Sequence, residues 1–141
     1  MNLVIKGRLT VKDFDPGEPF VVISICAPCY EFADMPEAGG RLIDVLRLSY
    51  DDVEAADESY EPVLFTPELA RRVLDFVERH KDRAGTVVCQ CDAGVSRSSA
   101  TAAALSRIYR GDDDWVFQSP RYMPNRLVYR TILEAYRKER D

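Results

Sequence analysis

Histidine and tryptophan each occur only once in this chain of 141 residues, as His80 and Trp115. Because zinc sites combine several histidine, cysteine or carboxylate ligands, a single histidine excludes a metal site built on histidines alone. His80 falls near the basic end of a predicted helix, where we expect a surface position rather than a ligand. We expect Trp115 to serve in packing.

Long apolar runs are also lacking. No stretch approaches the ~20 apolar residues that a helix needs to cross a bilayer. Residues 1–6 do not show the layout of a signal peptide. Internal repeats and low-complexity tracts are absent from the sequence as well. We therefore expect a cytoplasmic protein with no membrane partner.

Positive charge is in deficit: 19 Lys and Arg residues stand against 24 Asp and Glu residues, for a net charge of −5. An acidic protein is a poor partner for nucleic acid or for an anionic membrane, although a local basic pocket is compatible with that balance. A chain of 141 residues is long enough for one domain with a real core, so we expect a single domain over residues 1–141. The sequence does not indicate an oligomeric state.

Cysteine is limited to four residues, Cys26, Cys29, Cys89 and Cys91. Four thiolates could in principle hold a zinc ion, but only one residue separates the second pair, so we expect neither a metal nor a cofactor. The first three could instead resolve an oxidised Cys91 as a disulfide. The favoured interpretation is that these three are buried free cysteines on strand ends.

Four segments have the composition of β-strands. Residues 3–11 alternate loosely and predict an edge strand, whereas Phe20–Cys26 is a continuous apolar run typical of the interior of a parallel sheet. Residues 41–50 predict a further strand, and residues 86–89 a short buried one.

Helices are predicted between and after the later strands. Thr66 and Pro67 are typical of an N-cap and a first helical residue, and Gly85 is expected to close that segment. Residues 98–109 predict a small-residue helix that ends at Gly111. The alternation of strands and helices indicates an α/β fold, with a central, mostly parallel sheet flanked by helices.

The segment from the fourth strand into the small-residue helix carries the strongest chemical signal. A strand that turns into a helix N-terminus presents free backbone N–H groups and a positive dipole, which together favour an anion. Cys91 and Arg97 lie six positions apart in this turn. The same field favours a nucleophilic thiolate, and a planar guanidinium can hold two phosphate oxygens. Gly94 permits backbone geometry that a side chain would block, and the Ser98 hydroxyl could bond the sulfur.

Residues 91–98, Cys-Asp-Ala-Gly-Val-Ser-Arg-Ser, resemble the Cys-x5-Arg-Ser signature of the cysteine-dependent protein tyrosine phosphatases, and most of all the dual-specificity branch. The resemblance implies the fold of these phosphatases, in a small single-domain form such as bacteria and phages carry. It implies Cys91 as nucleophile and Arg97 as the residue that stabilises the phosphoryl group, with Ser98 in support. The substrate-binding loop it implies comprises Asp92, Ala93, Gly94, Val95, Ser96 and Arg97. The family usually has His before the nucleophile, where this chain has Gln90, which leaves the reaction rate open.

The resemblance also implies a general acid on a loop that follows an earlier strand. Asp52 is our first choice because of its distance from the end of the strand at residues 41–50, with Asp51 second and Asp57 third. Asn125, after Pro124, matches an asparagine that braces the phosphate loop in the family. A plain helix N-cap is the alternative for Asn125, and both interpretations can hold.

These features predict a phosphomonoester hydrolase that forms a cysteinyl-phosphate intermediate without a metal. Its expected substrate is a phosphorylated protein, on tyrosine with or without serine and threonine, or a small phosphomonoester. Lysines are absent from the loop at residues 92–96, which disfavours a multiply phosphorylated lipid. Two alternatives remain: a phosphate-binding module with little turnover, and a thiol-redox or sulfur-transfer protein that uses Cys91.

Overall fold

The computed structural model describes residues 1–57 and 59–140. Its regular elements, in chain order, are β1 (Asn2–Lys6), α1 (Arg8–Val11), β2 (Phe20–Cys26), β3 (Leu42–Ser49), α2 (Pro67–His80), β4 (Thr86–Gln90), α3 (Arg97–Arg110), α4 (Asp114–Phe117) and α5 (Arg126–Arg140). The four strands form one parallel sheet in the order β1-β4-β2-β3. The predicted α/β class is therefore confirmed.

Strand β2 lies inside the sheet, as its continuous apolar run predicts. It pairs with β3 on one side and with β4 on the other, in a register that sets Ile23 opposite Cys89. Every residue of β2 is buried. A strand covered on both faces needs apolar side chains pointing both ways, which explains the absence of polar alternation.

The two faces of the sheet are covered differently. Side chains of β2, β3 and β4 pack on one face against α2, α3 and α5 in the main hydrophobic core. The opposite face holds a smaller cluster formed by Val11, Phe20, Val22, Ala33 and Val88. In the part of the chain that the structure describes, no helix is long and apolar enough to cross a membrane.

The prediction of one edge strand over residues 3–11 is half wrong. Strand β1 does lie at the sheet edge, but it ends at Lys6, and the helical turn α1 follows. Gly7 makes the break. A Cβ atom on Gly7 would lie 3.1 Å from the carbonyl oxygen of Ala93, so the chain turns here against the loop that follows β4.

Helices α2 and α3 begin and end largely where local sequence signals place them. The Thr66 side chain accepts a hydrogen bond from the Leu69 amide at 3.2 Å and caps α2. Gly111 ends α3 in the left-handed conformation, with φ of 76°. Helix α2, however, ends at His80, five residues before the predicted stop at Gly85.

The prediction that His80 lies at the surface is wrong. Only 6% of the residue is exposed, and its Nε2 lies 2.8 Å from Oδ2 of Asp44. Its ring packs edge-on against Phe76, with 4.9 Å between the ring centroids. Trp115 does pack against the core, and its indole N–H donates to Ser106 Oγ at 2.8 Å.

Candidate active site

The turn between β4 and α3 is held against the end of β1. The Cys91 amide donates to the carbonyl of Lys6 at 3.2 Å, which extends the β1–β4 pairing by one step past Gln90. Gly94 has a φ of 75°, and a Cβ atom there would lie 2.7 Å from the backbone nitrogen of Gly7. Glycine is therefore required at position 94 for two reasons: its conformation and its close approach to another backbone.

The Cys91 thiol lies at the floor of this turn, with 2% of the residue exposed. Its Sγ accepts a hydrogen bond from the Gly94 amide at 3.3 Å, and the thiol donates one to Ser98 Oγ at 3.1 Å. Both neighbours can donate to a sulfur that carries negative charge. The structure thus brings Cys91, Gly94 and Ser98 together in one turn.

Arg97 is the first residue of α3 and points back under the turn, with 7% of the residue exposed. Its two Nη groups donate at 3.0 Å each, one to the carbonyl of Tyr50 and one to Oδ2 of Asp92. Its Nε is buried and has no partner among residues 1–57 and 59–140. A buried donor without an acceptor is costly, and an anionic oxygen that reached Nε would supply the missing acceptor.

Asp92 has a position that its motif alone does not reveal. Its carboxylate accepts hydrogen bonds from Arg97, from the Ala27 amide at 3.1 Å, and from Nε and Nη2 of Arg8 at 3.2 and 2.8 Å. Burial raises the pKa of this carboxyl, but the donors lower it more, so the pKa lies below its ordinary value. The sequence predicts Asp92 to bind substrate, whereas its side chain here binds two arginines, Arg8 at the start of α1 and Arg97 at the start of α3.

The structure separates the three candidates for the general acid. Oδ1 of Asp52 accepts hydrogen bonds from Ser96 Oγ at 2.8 Å and from Asn125 Nδ2 at 2.9 Å, so this residue lies against the turn. Asp51 instead accepts from the Val63 amide at 2.7 Å, within its own loop.

Asp57 is exposed and accepts from the backbone and the side chain of Ser59. Hydrogen bonds from the Ser59 amide and hydroxyl lower the pKa of its carboxyl. Of the three aspartates, Asp52 is therefore the one that contacts a residue of the loop at 91–98.

Asn125 connects three parts of the site and has only 3% of its surface exposed. Its Nδ2 donates to Asp52 and, at 3.1 Å, to the carbonyl of Val53. Its backbone N–H donates to the carbonyl of Ser96 at 3.2 Å, and its Oδ1 accepts from the Val128 amide at 3.1 Å. The same side chain thus caps α5 and ties the Asp52 loop to the turn.

Gln90 is fully buried directly before Cys91, where the resembled family usually has histidine. Its Nε2 donates to the carbonyl of Cys91 at 3.0 Å, and its Oε1 accepts from Ser24 Oγ at 2.5 Å. The neutral amide of Gln90 thereby links the backbone at Cys91 to the Ser24 side chain of β2.

The other cysteines do not gather into a metal site. Within residues 1–57 and 59–140, only Asp112, Asp113 and Asp114 bring three potential ligand atoms within 4.8 Å of one another. Burial raises the pKa of the Cys89 thiol, and the nearby Cys91 adds to that effect. All three of Cys26, Cys29 and Cys89 are free; Cys26 and Cys89 are buried as expected, but the expectation is wrong for Cys29, which is exposed. A resolving disulfide with Cys91 stays an alternative that the structure does not test.

Two surface depressions adjoin the turn, one on each side. We call the first the basic groove; it encloses about 650 Å³ and is lined by Lys6, Arg8, Thr10, Ala93, Arg121 and Tyr122. We call the second the acidic depression; it encloses about 830 Å³, and its lining includes Asp52, Glu54, Phe117, Met123, Asn125 and Arg126. Neither is lined by Cys91 or Arg97, which lie between them beneath the turn.

No family model and no curated protein matches the sequence, but solved structures match the fold. Human DUSP28 superimposes with a TM-score of 0.61 at 15% identity, over 98% of this chain and 93% of that chain. The human tyrosine phosphatase-like serine/threonine/tyrosine-interacting protein superimposes with a TM-score of 0.59 at 16% sequence identity, over 87% of this chain and 80% of that chain. A mouse putative dual specificity phosphatase, solved in complex with zinc tungstate, superimposes with a TM-score of 0.56 at 22% sequence identity, over 86% of this chain and 71% of that chain.

The chain therefore has the fold of the dual-specificity and related protein tyrosine phosphatases. At these identities the likeness concerns the fold alone, so the chemistry must be argued from the residues of the turn. The expectation of a bacterial or phage form stays a prediction.

Proposed function

We propose that this chain is a phosphomonoester hydrolase of the dual-specificity phosphatase type, working through a cysteinyl-phosphate intermediate. One arrangement carries the proposal. The Cys91 sulfur lies within hydrogen-bond reach of the Gly94 amide and the Ser98 hydroxyl, while the buried Nε of Arg97, close by, has no partner among the residues that the structure describes. A nucleophile, an anion cradle and an unused charged donor therefore share one turn.

In the first step, the Cys91 thiolate attacks phosphorus opposite the leaving oxygen. An S–P bond forms and the P–O bond to the leaving group breaks. Arg97 and the backbone N–H groups of the turn stabilise the charge on the three equatorial oxygens. Asp52, held beside the turn by Ser96, gives its proton to the leaving oxygen.

In the second step, water attacks the cysteinyl phosphate. The O–P bond forms, the S–P bond breaks with its electron pair returning to sulfur, and the Asp52 carboxylate takes the proton of the water. Ser98 donates to the sulfur as it leaves, which stabilises the returning thiolate. The cycle ends with inorganic phosphate and the starting protonation states.

We further propose that residues 1–141 are one catalytic domain and that the substrate is a phosphorylated protein or a small phosphomonoester. The loop alone is weak support for a phosphatase, because unrelated proteins can hold an isolated Cys and Arg at this spacing. The fold around the loop adds to that support. The cytoplasmic location stays a prediction.

The first experiment is hydrolysis of p-nitrophenyl phosphate under reducing conditions without added metal, for the wild type and for Cys91→Ser. We expect turnover in the wild type and a loss of at least about a thousandfold in the variant, because a serine hydroxyl is a far weaker nucleophile than a thiolate. Cys29→Ser is the matched control: this cysteine is exposed, and its replacement should leave the rate unchanged.

Trapping of the intermediate gives an independent readout. Rapid acid quenching during turnover of a phosphopeptide should yield a phosphorylated chain at Cys91 in the wild type and none in Cys91→Ser. An inactive wild type that still binds phosphate or vanadate would indicate the binding module instead. Activity that survives in Cys91→Ser would contradict the proposed nucleophile.

A further inference from the structure

The two depressions beside the turn differ in charge. The basic groove is lined by three cationic residues, Lys6, Arg8 and Arg121, against the single carboxylate of Asp92. The acidic depression carries two carboxylates, Asp52 and Glu54, against the single cation of Arg126. On a chain with a net charge of −5, a groove with a cationic excess is a local departure from the general balance.

The cations of the basic groove keep donors available. Arg8 uses Nε and Nη2 for Asp92, and Nη2 also for the carbonyl of Glu31; its Nη1 has no hydrogen bond to any residue that the structure describes. The Arg121 side chain is exposed and forms no ion pair in residues 1–57 and 59–140. Both arginines can therefore receive an anion without giving up an existing partner.

The groove also shares its wall with the turn, since Ala93 and Gly94 line it. A substrate whose phosphate lies in the turn would extend over one side of the turn or both. Its anionic part would be attracted to the cationic excess of the basic groove, whereas the acidic depression offers no such excess, because Glu54 offsets Arg126 there. The acidic depression offers exposed apolar surface at Phe117 and Met123 instead.

Resting on the proposed function, we propose that the basic groove is a specificity subsite for the acidic flank of a phosphopeptide, with Arg121 and Arg8 binding its carboxylate groups. A peptide fits because an extended chain can cross the turn and contact both depressions. The volume of the groove lies within the usual range for a binding site. The subsite selects among substrates and takes no part in the bond-breaking steps.

The test compares three phosphotyrosyl peptides of equal length whose flanking residues are Glu, Gln or Lys. We expect kcat/KM to fall in that order, by about two- to fivefold for each flanking charge, and the differences to shrink at high salt. Arg121→Gln should reduce the preference, and Arg121→Glu should reverse it. Arg71→Gln, an exposed arginine of α2 outside the groove, should keep the wild-type preference.

Hydrolysis of p-nitrophenyl phosphate in the same preparations separates this inference from the proposed function. Turnover of that substrate together with equal rates on all three peptides would overturn the subsite alone. A preference for the Glu-flanked peptide that survives in Arg121→Glu would also overturn the subsite. If a short-chain monophosphorylated phosphoinositide is preferred over the acidic peptide, the groove serves a different ligand and the peptide proposal is wrong.

Binding supplies a readout that does not need turnover. Fluorescence anisotropy with Cys91→Ser and labelled versions of the three peptides should give the same order of affinities. Equal affinities would contradict the subsite even if the chain proves to be a phosphate-binding module. Preferential binding of the acidic peptide by an inactive wild type would support the subsite while the hydrolase proposal failed.

Discussion

Arg97 and Asp92 lie five residues apart in one turn and are joined by a hydrogen bond of 3.0 Å between Nη2 and Oδ2. The guanidinium is thereby held at both ends, since its other Nη donates to the carbonyl of Tyr50. Asp92 is held in turn by Arg8, which lies 84 positions before it in the chain. The orientation of the Arg97 guanidinium thus depends on a carboxylate and on a second arginine.

Asp92→Asn should impair catalysis while leaving the fold intact. The amide keeps the size of the side chain but removes the charge that orients Arg97. We expect kcat/KM for p-nitrophenyl phosphate to fall about ten- to a hundredfold and the inhibition constant of vanadate to rise in parallel. Asp15→Asn is the matched control, because that aspartate pairs with Arg41 in an exposed ion pair away from the turn.

We also expect the effect of Asp92→Asn on the free energy of unfolding to depend on pH. The pKa of Asp92 is lower in the folded chain than its unfolded value of about 3.9, so the carboxylate stabilises the fold above that pH. The contribution is lost as the pH falls through the folded pKa. Urea denaturation should show a constant difference between wild type and Asp92→Asn near neutral pH and a shrinking one below about pH 4. A difference independent of pH would contradict the ion pair.

Asp52→Asn should reveal a general acid through its dependence on the leaving group. With a poorly leaving alkyl or seryl phosphate, we expect kcat to fall about a hundredfold or more. With p-nitrophenyl phosphate the loss should be smaller, because nitrophenolate leaves without a full proton. Asp51→Asn and Asp57→Asn should leave both rates near the wild type, since both aspartates bond within their own loop. An equal loss with both substrates would assign Asp52 a positioning role instead.

Gly94→Ala and Gly111→Ala form a matched pair. Both glycines have left-handed backbone, with φ of 75° and 76°, so alanine should cost each about 1 kcal/mol or more in free energy of unfolding. At Gly94 the new Cβ atom would meet another backbone at 2.7 Å, whereas at Gly111 no described residue beyond its neighbours in the chain lies within 4 Å. Gly94→Ala should therefore lose more stability and at least about tenfold in kcat/KM, whereas Gly111→Ala keeps its activity.

Local signals in the sequence predict the turn and the helices that carry the site. The cap at Thr66, the stop at Gly111 and the spacing of Cys91 and Arg97 all depend on residues close together in the chain. The continuous apolar run of β2 predicts its central place in the sheet. Such features can be predicted because a few neighbouring residues determine them.

Contacts between distant residues are what the sequence does not reveal. Arg8 meets Asp92 only because β1 and β4 pair in parallel, which sets their ends side by side. The surface prediction for His80 is wrong for a similar reason: its partner Asp44 lies 36 positions away on β3. One signal could have suggested the contact between Arg8 and Asp92. Arg8 comes just after a strand, and that strand ends beside the loop that carries the Asp92 carboxylate.

The roles of Asn125 as a helix cap and as a bridge can be separated by two substitutions. Asn125→Ala removes both, and because the residue is buried and bonds to Asp52, Val53 and Val128, we expect a loss of about 1–3 kcal/mol in the free energy of unfolding. Asn125→Asp retains an acceptor for the Val128 amide but loses the donor to Asp52 and sets two carboxylates against each other. Its kcat should fall at least as far as that of Asn125→Ala.

Thr66→Ala removes a helix cap far from the turn and serves as the control, with about 1 kcal/mol lost and kcat unchanged. Urea denaturation and steady-state kinetics on the three variants supply both readouts. If Asn125→Asp kept the wild-type kcat, the hydrogen bond to Asp52 would have no part in catalysis and Asn125 would be only a cap. If instead kcat fell in both Asn125 variants but not in Thr66→Ala, the loss would follow from the bridge to Asp52, because removing a cap elsewhere does not reproduce it.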